Sequence, residues 1–183
     1  MKVKNKALFL DRDGVINSDL GYVSKAQDFF FIEDIFALVR KANQKGYLVI
    51  IVTNQSGIGR GYFSEADFHQ LMEWVLQEFI KRECFIHTSY FCPFHPEAKL
   101  QKYKKNSNLR KPNPGMINLA IKEHDLDASQ SVFVGDKISD MTAGISAGIQ
   151  NNLLFTPHKH IDTPQPAHHH IISSLQEAEC FIL

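Results

Sequence analysis

Two carboxylates stand two positions apart at the end of the first apolar run of this chain. Residues 7–10 are all apolar, as in a buried strand, and Asp11 and Asp13 follow them. Gly14 then allows the backbone to turn away. Divalent cations prefer oxygen ligands, and a carboxylate can accept a phosphoryl group. The pair therefore fits metal-assisted phosphoryl chemistry, although it could equally end a strand and cap the next turn.

Further polar and charged residues follow later apolar runs. Acids can hold Mg²⁺, cations neutralise phosphate oxygens, and a carboxylate can attack phosphorus in line. Each feature alone has a plain structural explanation, since glycines at 57, 59 and 61 also suit a flexible turn and a basic pair is often solvated. Their occurrence in this order at successive strand ends favours one shared site. The candidates are Thr53, Asn54, Arg110, Lys111, Asp136, Lys137 and Asp140.

Apolar periodicity predicts the elements that position these residues. Strand-like runs alternate with helix-like segments, which indicates an α/β fold with a parallel, doubly wound (Rossmann-like) sheet. Ligands of such sheets bind at the carboxyl ends of the strands, so the candidates should meet at one edge. Strands are predicted at 7–10, 47–52, 87–91, 131–136 and 152–155, helices at 33–45, 64–79, 114–121, 138–148 and 173–181, and loops at 54–61, 93–114 and 156–170.

Cap residues mark two of the predicted helix starts. Ser64 with Asp67 resembles a capping box, and Asn113 is expected to cap the helix that starts at Pro114. The expected core face of that second helix comprises Met116, Leu119, Ala120 and, less cleanly, Ile117 and Ile121.

Size and composition indicate a single domain, residues 1–183. The 20 basic and 20 acidic residues balance, so no net charge favours nucleic acid or an anionic membrane. No apolar run reaches the roughly 18 residues of a membrane span, and the short basic start is not typical of a signal peptide. Three scattered cysteines argue against a disulfide framework. We expect a cytoplasmic monomer that binds neither nucleic acid nor membrane.

Four segments resemble the four motifs of the haloacid dehalogenase-like phosphatases. They are residues 10–17 (LDRDGVIN), 52–57 (VTNQSG), 110–115 (RKPNPG) and 134–140 (VGDKISD). Their variants are similar to those of the branch that holds the histidinol-phosphate and D,D-heptose 1,7-bisphosphate phosphatases. The resemblance runs to about residue 155 and implies a haloacid dehalogenase-type sheet with a minimal cap made of loops.

The resemblance implies a mechanism with an aspartyl-phosphate intermediate. Asp11 would attack phosphorus, and Asp13 would protonate the leaving oxygen and later activate water. Mg²⁺ would be bound by the side chains of Asp11 and Asp136 and by the backbone carbonyl of Asp13. Thr53 and Lys111 would hold the transferring phosphoryl group.

The resemblance also implies a small phosphorylated sugar as substrate. Residues 19–23 resemble a sugar-contacting loop. This loop and the lack of an appended dehydratase domain favour removal of the 7-phosphate of a heptose 1,7-bisphosphate, on the route to the nucleotide-activated heptose of lipopolysaccharide, over hydrolysis of histidinol phosphate. Arg110 would recognise the substrate through a second phosphate. The implied substrate-binding residues are Asp19, Leu20, Gly21, Tyr22, Asn54, Gln55, Ser56, Arg110 and Lys137.

One departure from the family concerns a structural zinc ion. The family commonly holds Zn²⁺ with a Cys-x-His and a Cys-x-Cys pair before the Arg-Lys-Pro segment. Here Cys92 is present, but Phe94 replaces the histidine, and Ser107 and Leu109 replace the two cysteines. His95 is one position away and could substitute in part. Because a tetrahedral site needs four ligands, we expect no structural zinc.

Two other functional classes share parts of this pattern. A receiver-like signalling module also uses strand-end acids, a threonine and a lysine. Receivers, however, usually carry adjacent acids on the first strand and the phosphorylated aspartate on a middle strand, whereas Asp11 and Asp13 are two apart. An inactive binding protein is the other alternative, but no expected catalytic residue is missing.

Overall fold

Six parallel strands form one sheet at the centre of the molecule. The computed structural model describes residues 4–157 and 168–183. The strands lie in the order β3-β2-β1-β4-β5-β6, and every neighbouring pair is parallel. This confirms the predicted α/β class and doubly wound sheet. The strands are β1 Lys6–Leu10, β2 Tyr47–Asn54, β3 Thr88–Cys92, β4 Val132–Gly135, β5 Asn151–Phe155 and β6 His170–Ile172.

Helices cover both faces of the sheet. Successive side chains of a strand point to opposite faces, so Leu8 and Leu10 join one apolar core while Ala7 and Phe9 join the other. Helices α1, α3 and α6 supply the first core, and α4 and α5 supply the second. Burial on both faces explains why β1 is a continuous apolar run. The helices are α1 Ile35–Gln44, α2 Ser56–Arg60, α3 Glu65–Ile80, α4 Gly115–Glu123, α5 Ile138–Ser146 and α6 Leu175–Ala178.

The predicted capping box at the start of α3 is confirmed. The Asp67 backbone N–H donates to Ser64 Oγ at 3.1 Å, and the Ser64 backbone N–H donates to Asp67 Oδ2 at 2.7 Å. These two bonds satisfy amide groups that have no partner within the helix.

Four local predictions are wrong. The glycine-rich loop at 54–61 contains the short helix α2, and a sixth strand follows the predicted five. Pro114 rather than Asn113 occupies the N-cap of α4, because the Asn113 side chain instead donates to Ser107 O at 3.2 Å. Leu119 is exposed, since the buried face of α4 is centred on Met116 and Ala120. The predicted surface loop 156–170 falls largely on residues 158–167, which lie outside the described residues.

No helix in the described part of the chain is long and apolar enough to cross a membrane. The three cysteines are all free: Cys84 and Cys92 are buried, and Cys180 is exposed.

Candidate active site

The carboxyl ends of β2, β1 and β4 carry the catalytic candidates, as predicted. Leu10 at the end of β1 pairs with Ile51 on one side and with Val134 on the other. The next residue, Asp11, donates its backbone N–H to Val134 O at 3.0 Å and is therefore held against β4. Thr53 lies near the end of β2 and is buried. The central position of β1 thus places Asp11 between the polar ends of two neighbouring strands.

Lys111 reaches Asp11 from the long loop before α4. Its Nζ lies 2.9 Å from Asp11 Oδ1 and 2.7 Å from Asp140 Oδ1, and it donates to Val52 O at 2.9 Å. Burial disfavours the ammonium, but the two carboxylates prevail and raise the pKa of Lys111. The side chain is therefore a buried cation held beside the candidate nucleophile.

Asn54 fastens this loop to β2. Its Nδ2 donates to Lys111 O at 3.0 Å, and its Oδ1 accepts from the Lys111 backbone N–H at 3.1 Å. Both polar ends of the side chain thus bind the backbone of one residue. This pair of bonds fixes where the Lys111 side chain starts, and so where its ammonium can reach.

Three carboxylates meet beside Lys111. Asp11, Asp136 and Asp140 each place an oxygen within 4.8 Å of the others. Asp136 Oδ1 is buried and has no hydrogen-bond partner. Burial and the Asp11 carboxylate raise the pKa of Asp136 to about 7. Burial and the Asp140 carboxylate also raise the pKa of Asp11, and the Lys111 ammonium offsets this only in part.

This cluster fits a divalent cation. Lys111 pairs with Asp11 and Asp140, and the more exposed Lys137 approaches Asp136 from the rim, so three carboxylates face two cations. Negative charge is therefore in excess, and Asp136 presents an unpartnered oxygen. Asp140 is the least available ligand of the three. Its Oδ1 contacts Lys111, and its Oδ2 accepts from the Lys137 backbone N–H at 3.0 Å. Asp11 and Asp136 are therefore the side chains best placed to bind a metal ion.

Gly14 makes room for the Asp136 carboxylate. Its φ is +91°, which favours glycine, and a Cβ at this position would overlap Asp136 Oδ2. The glycine that follows the Asp-x-Asp pair is thus required both for the turn and for the approach of β4 to β1.

Asp13 lies in a network of hydrogen-bond donors. Its carboxylate accepts from Arg12 Nη2 at 2.8 Å, from Asn17 Nδ2 at 3.1 Å and from Gln55 Nε2 at 3.1 Å. Gln55 Nε2 also donates to Thr53 Oγ1 at 2.9 Å. The fully buried Arg12 additionally donates to Val23 O, which fixes the guanidinium. Asp13 therefore has a defined orientation, set by a buried cation and two amides.

A cleft of about 320 Å³ opens over these groups. At its rim Lys137 Nζ lies 3.1 Å from Asp19 Oδ2 and 3.4 Å from Asp136 Oδ2. Burial disfavours the Lys137 ammonium, but Asp136 and Asp19 prevail and raise its pKa. The sequence-predicted residues that line the cleft are Asp11, Asp13, Asp19, Gly21, Tyr22, Thr53, Asn54, Gln55, Ser56, Lys111 and Lys137.

Three predicted residues lie beside the cleft rather than in its wall. Asp136 lines an adjoining cleft of about 630 Å³ together with Gly14 and Asp19. Leu20 is 60% exposed on the outer side of its loop. Arg110 is half-buried, and its Nη1 donates to Phe94 O at 3.5 Å.

Arg12 is absent from the predicted set, and Asp140 was predicted to lie at the site without an assigned role. In the structure Asp140 holds Lys111, and Arg12 orients Asp13. Arg12 is a charged residue between two aspartates, and nothing in its sequence position indicates complete burial.

The segment in which the family resemblance implies a zinc site has a different arrangement here. Cys92 is buried, and burial raises the pKa of its thiol. His95 Nδ1 accepts from the Glu97 backbone N–H at 3.0 Å, and the Phe94 ring packs near Tyr103 and under Lys105 Nζ. Among the described residues, neither Cys92 nor His95 belongs to a group of three potential metal ligands. The residues present do not fit a four-ligand zinc site.

Comparisons with known proteins identify the family. A family model described as polynucleotide kinase 3 phosphatase matches residues 8–163. A D-glycero-alpha-D-manno-heptose-1,7-bisphosphate 7-phosphatase of Burkholderia mallei is 53% identical over 83% of this chain and 80% of its own length. A D-glycero-beta-D-manno-heptose-1,7-bisphosphate 7-phosphatase of Haemophilus influenzae is 46% identical over 82% of this chain and 81% of its own length.

Solved structures share the fold. A HAD-like phosphatase structure from Mesorhizobium loti superimposes with a TM-score of 0.87 at 34% identity and covers 98% of this chain and 86% of that one. A D,D-heptose 1,7-bisphosphate phosphatase from B. bronchiseptica, complexed with magnesium and phosphate, has a TM-score of 0.80 at 23% identity over 95% and 96% of the two chains. The chain belongs to the haloacid dehalogenase-like phosphatases, which are phosphoric monoester hydrolases. Within them it belongs to the family of the D-glycero-D-manno-heptose-1,7-bisphosphate 7-phosphatases.

Proposed function

We propose that this protein is a Mg²⁺-dependent phosphatase that removes the 7-phosphate of D-glycero-D-manno-heptose 1,7-bisphosphate. The observation that carries the chemistry is the contact of Lys111 Nζ with Asp11 Oδ1 beside a buried excess of carboxylates. The relatives at 46–53% identity that bear this enzyme's name support the choice of substrate.

Asp11 is the proposed nucleophile. A carboxylate oxygen forms a bond to phosphorus while the bond from phosphorus to the sugar oxygen breaks, and the electron pair of that bond stays on the sugar oxygen. Lys111 lies against Asp11 Oδ1 and neutralises phosphoryl oxygens that approach the same carboxylate. Thr53 lies in the wall of the same cleft, where its hydroxyl can bind the phosphoryl group.

Asp13 is the proposed acid and base. It gives its proton to the leaving sugar oxygen, and it takes a proton from the water that then hydrolyses the aspartyl-phosphate. Arg12, Asn17 and Gln55 hold its carboxyl group beside the cleft. The same orientation serves both steps, because the leaving oxygen and the attacking water occupy the same side of phosphorus in turn.

The proposed metal ligands are the side chains of Asp11 and Asp136 and the backbone carbonyl of Asp13. When bound, Mg²⁺ supplies positive charge that stabilises the phosphoryl oxygens in the transition state. Asp140 acts through Lys111, since both of its oxygens are already engaged by other groups.

A substrate panel tests the activity. Purified protein with Mg²⁺ should hydrolyse the alpha or beta anomer of the heptose bisphosphate far faster than histidinol phosphate and simple sugar monophosphates. Faster turnover of histidinol phosphate would assign the sister activity instead. Asp11→Asn should lose turnover while the variant still folds and unfolds in one cooperative transition, and retained activity would refute the nucleophile.

The cellular setting follows from the same proposal. Removal of the 7-phosphate would serve the synthesis of the nucleotide-activated heptose of lipopolysaccharide. Three free cysteines fit a reducing compartment, so we place the enzyme in the cytoplasm. It would act as a monomer, without nucleic acid or membrane as a partner.

A further inference from the structure

Arg12 is a fully buried cation in contact with a wall residue of the catalytic cleft. Within the described part of the chain its one ion-pair partner is Asp13, and its side chain is 0% exposed. Its Nη1 is buried without a hydrogen-bond partner, and the ring of Phe68 lies 5.8 Å from its Cζ. Burial of a cation with an unsatisfied donor is costly, and a packed apolar side chain of similar size often gives equal or greater stability. The arginine therefore points to a functional role.

The two oxygens of the Asp13 carboxylate have different surroundings. Oδ1 accepts from Arg12 Nε at 3.2 Å, from Arg12 Nη2 at 2.8 Å and from Asn17 Nδ2 at 3.1 Å. Arg12 and Asn17 are both fully buried, and neither lines the cleft. Oδ2 accepts from Gln55 Nε2 at 3.1 Å, and Gln55 lines the cleft. Oδ1 thus faces the protein interior, and Oδ2 lies on the side of the cleft.

The bonds to Asp13 Oδ2 are shared with other acceptors. Arg12 Nη2 has two hydrogens and three acceptors, since it donates to Val23 O at 2.9 Å and approaches both Oδ1 and Oδ2 at 2.8 Å. Gln55 Nε2 likewise donates to Thr53 Oγ1 at 2.9 Å as well as to Oδ2. Oδ2 is therefore held less tightly than Oδ1. It also lies beside the hydroxyl that is proposed to bind the phosphoryl group.

We propose that Arg12 is the positioning residue that anchors Asp13 through Oδ1, so that Oδ2 is the oxygen that transfers the proton. This inference rests on the proposed function and adds to it the atom that carries the proton. As Asp11 forms its bond to phosphorus and the bond to the leaving oxygen breaks, the proton on Oδ2 passes to that oxygen and Asp13 becomes a carboxylate. A proton on Oδ2 leaves the three bonds to Oδ1 in place, so the carboxyl group keeps one anchor before and after the transfer.

The test compares two substrates of similar shape that differ in their need for this proton. A phenol has a pKa of about 10, so phenolate leaves poorly without a proton, whereas p-nitrophenolate leaves as a stable anion. The value of kcat/KM is measured for phenyl phosphate and p-nitrophenyl phosphate with the wild type, Arg12→Met and Arg12→Lys. The ratio for p-nitrophenyl over phenyl phosphate should rise about tenfold or more in Arg12→Met, because a misplaced acid penalises mainly phenyl phosphate. Arg12→Lys keeps the charge and loses the fork, so its ratio should lie between the other two.

Asp13→Asn shows whether Arg12 acts through Asp13. This variant lacks the acid, so its ratio should rise at least as far as that of Arg12→Met. Addition of Arg12→Met to Asp13→Asn should then raise the ratio no further, because both changes remove the same function. A further rise of the same size in the double variant would show that Arg12 acts independently of Asp13 and would overturn the proposal.

Arg40→Met is the matched control. Arg40 is a half-buried arginine of α1 that does not line the cleft, and its Nη2 donates to Arg82 O at 2.8 Å. The substitution removes the same charge and the same side-chain atoms as Arg12→Met. Its substrate ratio should equal that of the wild type. An equal rise in Arg40→Met would show a general charge effect and refute the role of Arg12.

The remaining outcomes separate this inference from the proposed function. If the wild type hydrolyses neither anomer of the heptose bisphosphate, the proposed substrate fails, and the aryl phosphates still test Arg12. If it hydrolyses the bisphosphate but the ratio stays unchanged in both Arg12 variants, only the role of Arg12 fails. Arg12→Lys keeps the cation, so it decides the result if Arg12→Met does not fold. An equal loss on both aryl phosphates with a lowered Tm would assign Arg12 a purely structural role and contradict the proposal.

Discussion

Lys111 Nζ lies 2.7 Å from Asp140 Oδ1, and both side chains are almost completely buried. The two residues come from different segments, the loop before α4 and the first turn of α5. Their contact therefore joins Lys111, the proposed phosphate-binding lysine, to the element that follows β4. The position of the ammonium beside Asp11 depends on this acid as well as on Asn54, which holds the backbone of Lys111.

Asp140→Asn should lower kcat about a hundredfold, because a small displacement of Lys111 removes its charge from the phosphoryl oxygens. The free energy of unfolding should fall by about 3 kcal/mol, since a buried pair loses one charge. Steady-state kinetics and urea unfolding measure the two effects. Asp28→Asn removes an exposed carboxylate and should change neither. Wild-type kcat in Asp140→Asn would contradict the role assigned to this contact.

Gly14→Ala should abolish Mg²⁺ binding and activity, because the new Cβ overlaps the Asp136 carboxylate. Gly46→Ala is the matched control: φ is +74° there, but no atom lies within 4 Å of the added Cβ. That variant should lose only about 1 kcal/mol of stability, from the left-handed backbone, and remain active. Isothermal titration with Mg²⁺ and thermal unfolding distinguish the two variants. If the two variants lost Mg²⁺ binding and stability to the same extent, the effect of Gly14→Ala would come from backbone strain alone.

Binding of Mg²⁺ should weaken as the pH falls below about 7. In the metal-free protein, burial and the Asp11 carboxylate raise the pKa of Asp136 to about 7, and a protonated carboxyl cannot bind the ion. If one proton competes, the dissociation constant should rise about tenfold for each pH unit below that value. Titration calorimetry between about pH 5.5 and about pH 8.5, a range that spans the expected transition, measures the dissociation constant.

The stability of the metal-free protein should show the opposite trend. The folded pKa of Asp136 lies above its unfolded value of 3.8, so the folded state binds the proton more tightly. This carboxyl therefore favours the unfolded state increasingly as the pH rises from about 4 to about 7. The rise in Tm on adding Mg²⁺ should then be larger at about pH 8, above that pKa, than at about pH 6, below it. A rise independent of pH would exclude Asp136 as the titrating ligand.

Protein purified without added zinc should contain far less than one equivalent of the metal. Cys92 and His95 lack two further ligands, and Phe94 and Leu109 occupy positions where the family has metal ligands. Activity lost on treatment with a chelator should return fully with Mg²⁺ alone. Elemental analysis and the recovery assay check both points, and one tightly held equivalent of zinc would contradict the prediction.

The sequence alone determined the sheet and the location of the site. The apolar runs of β1, β2 and β4 are long enough to identify, and parallel strands must end at one edge, so Asp11, Thr53 and Asp136 had to approach one another. The motif at residues 134–140 likewise indicated which acids follow β4. These inferences succeed because they depend on local periodicity and on a general property of parallel sheets.

Tertiary structure decided the remaining features. Strand β6 has three residues and forms by pairing with β5, so it carries little periodicity of its own. The complete burial of Arg12 and the bond from Gln55 to both Thr53 and Asp13 depend on packing between separate segments. The 3.4 Å contact between Arg60 Nη2 and His95 Nε2 exists only because α2 and the long loop lie together. Contacts between residues distant in the chain are set by how helices and loops pack on the sheet, and local residue patterns do not encode them.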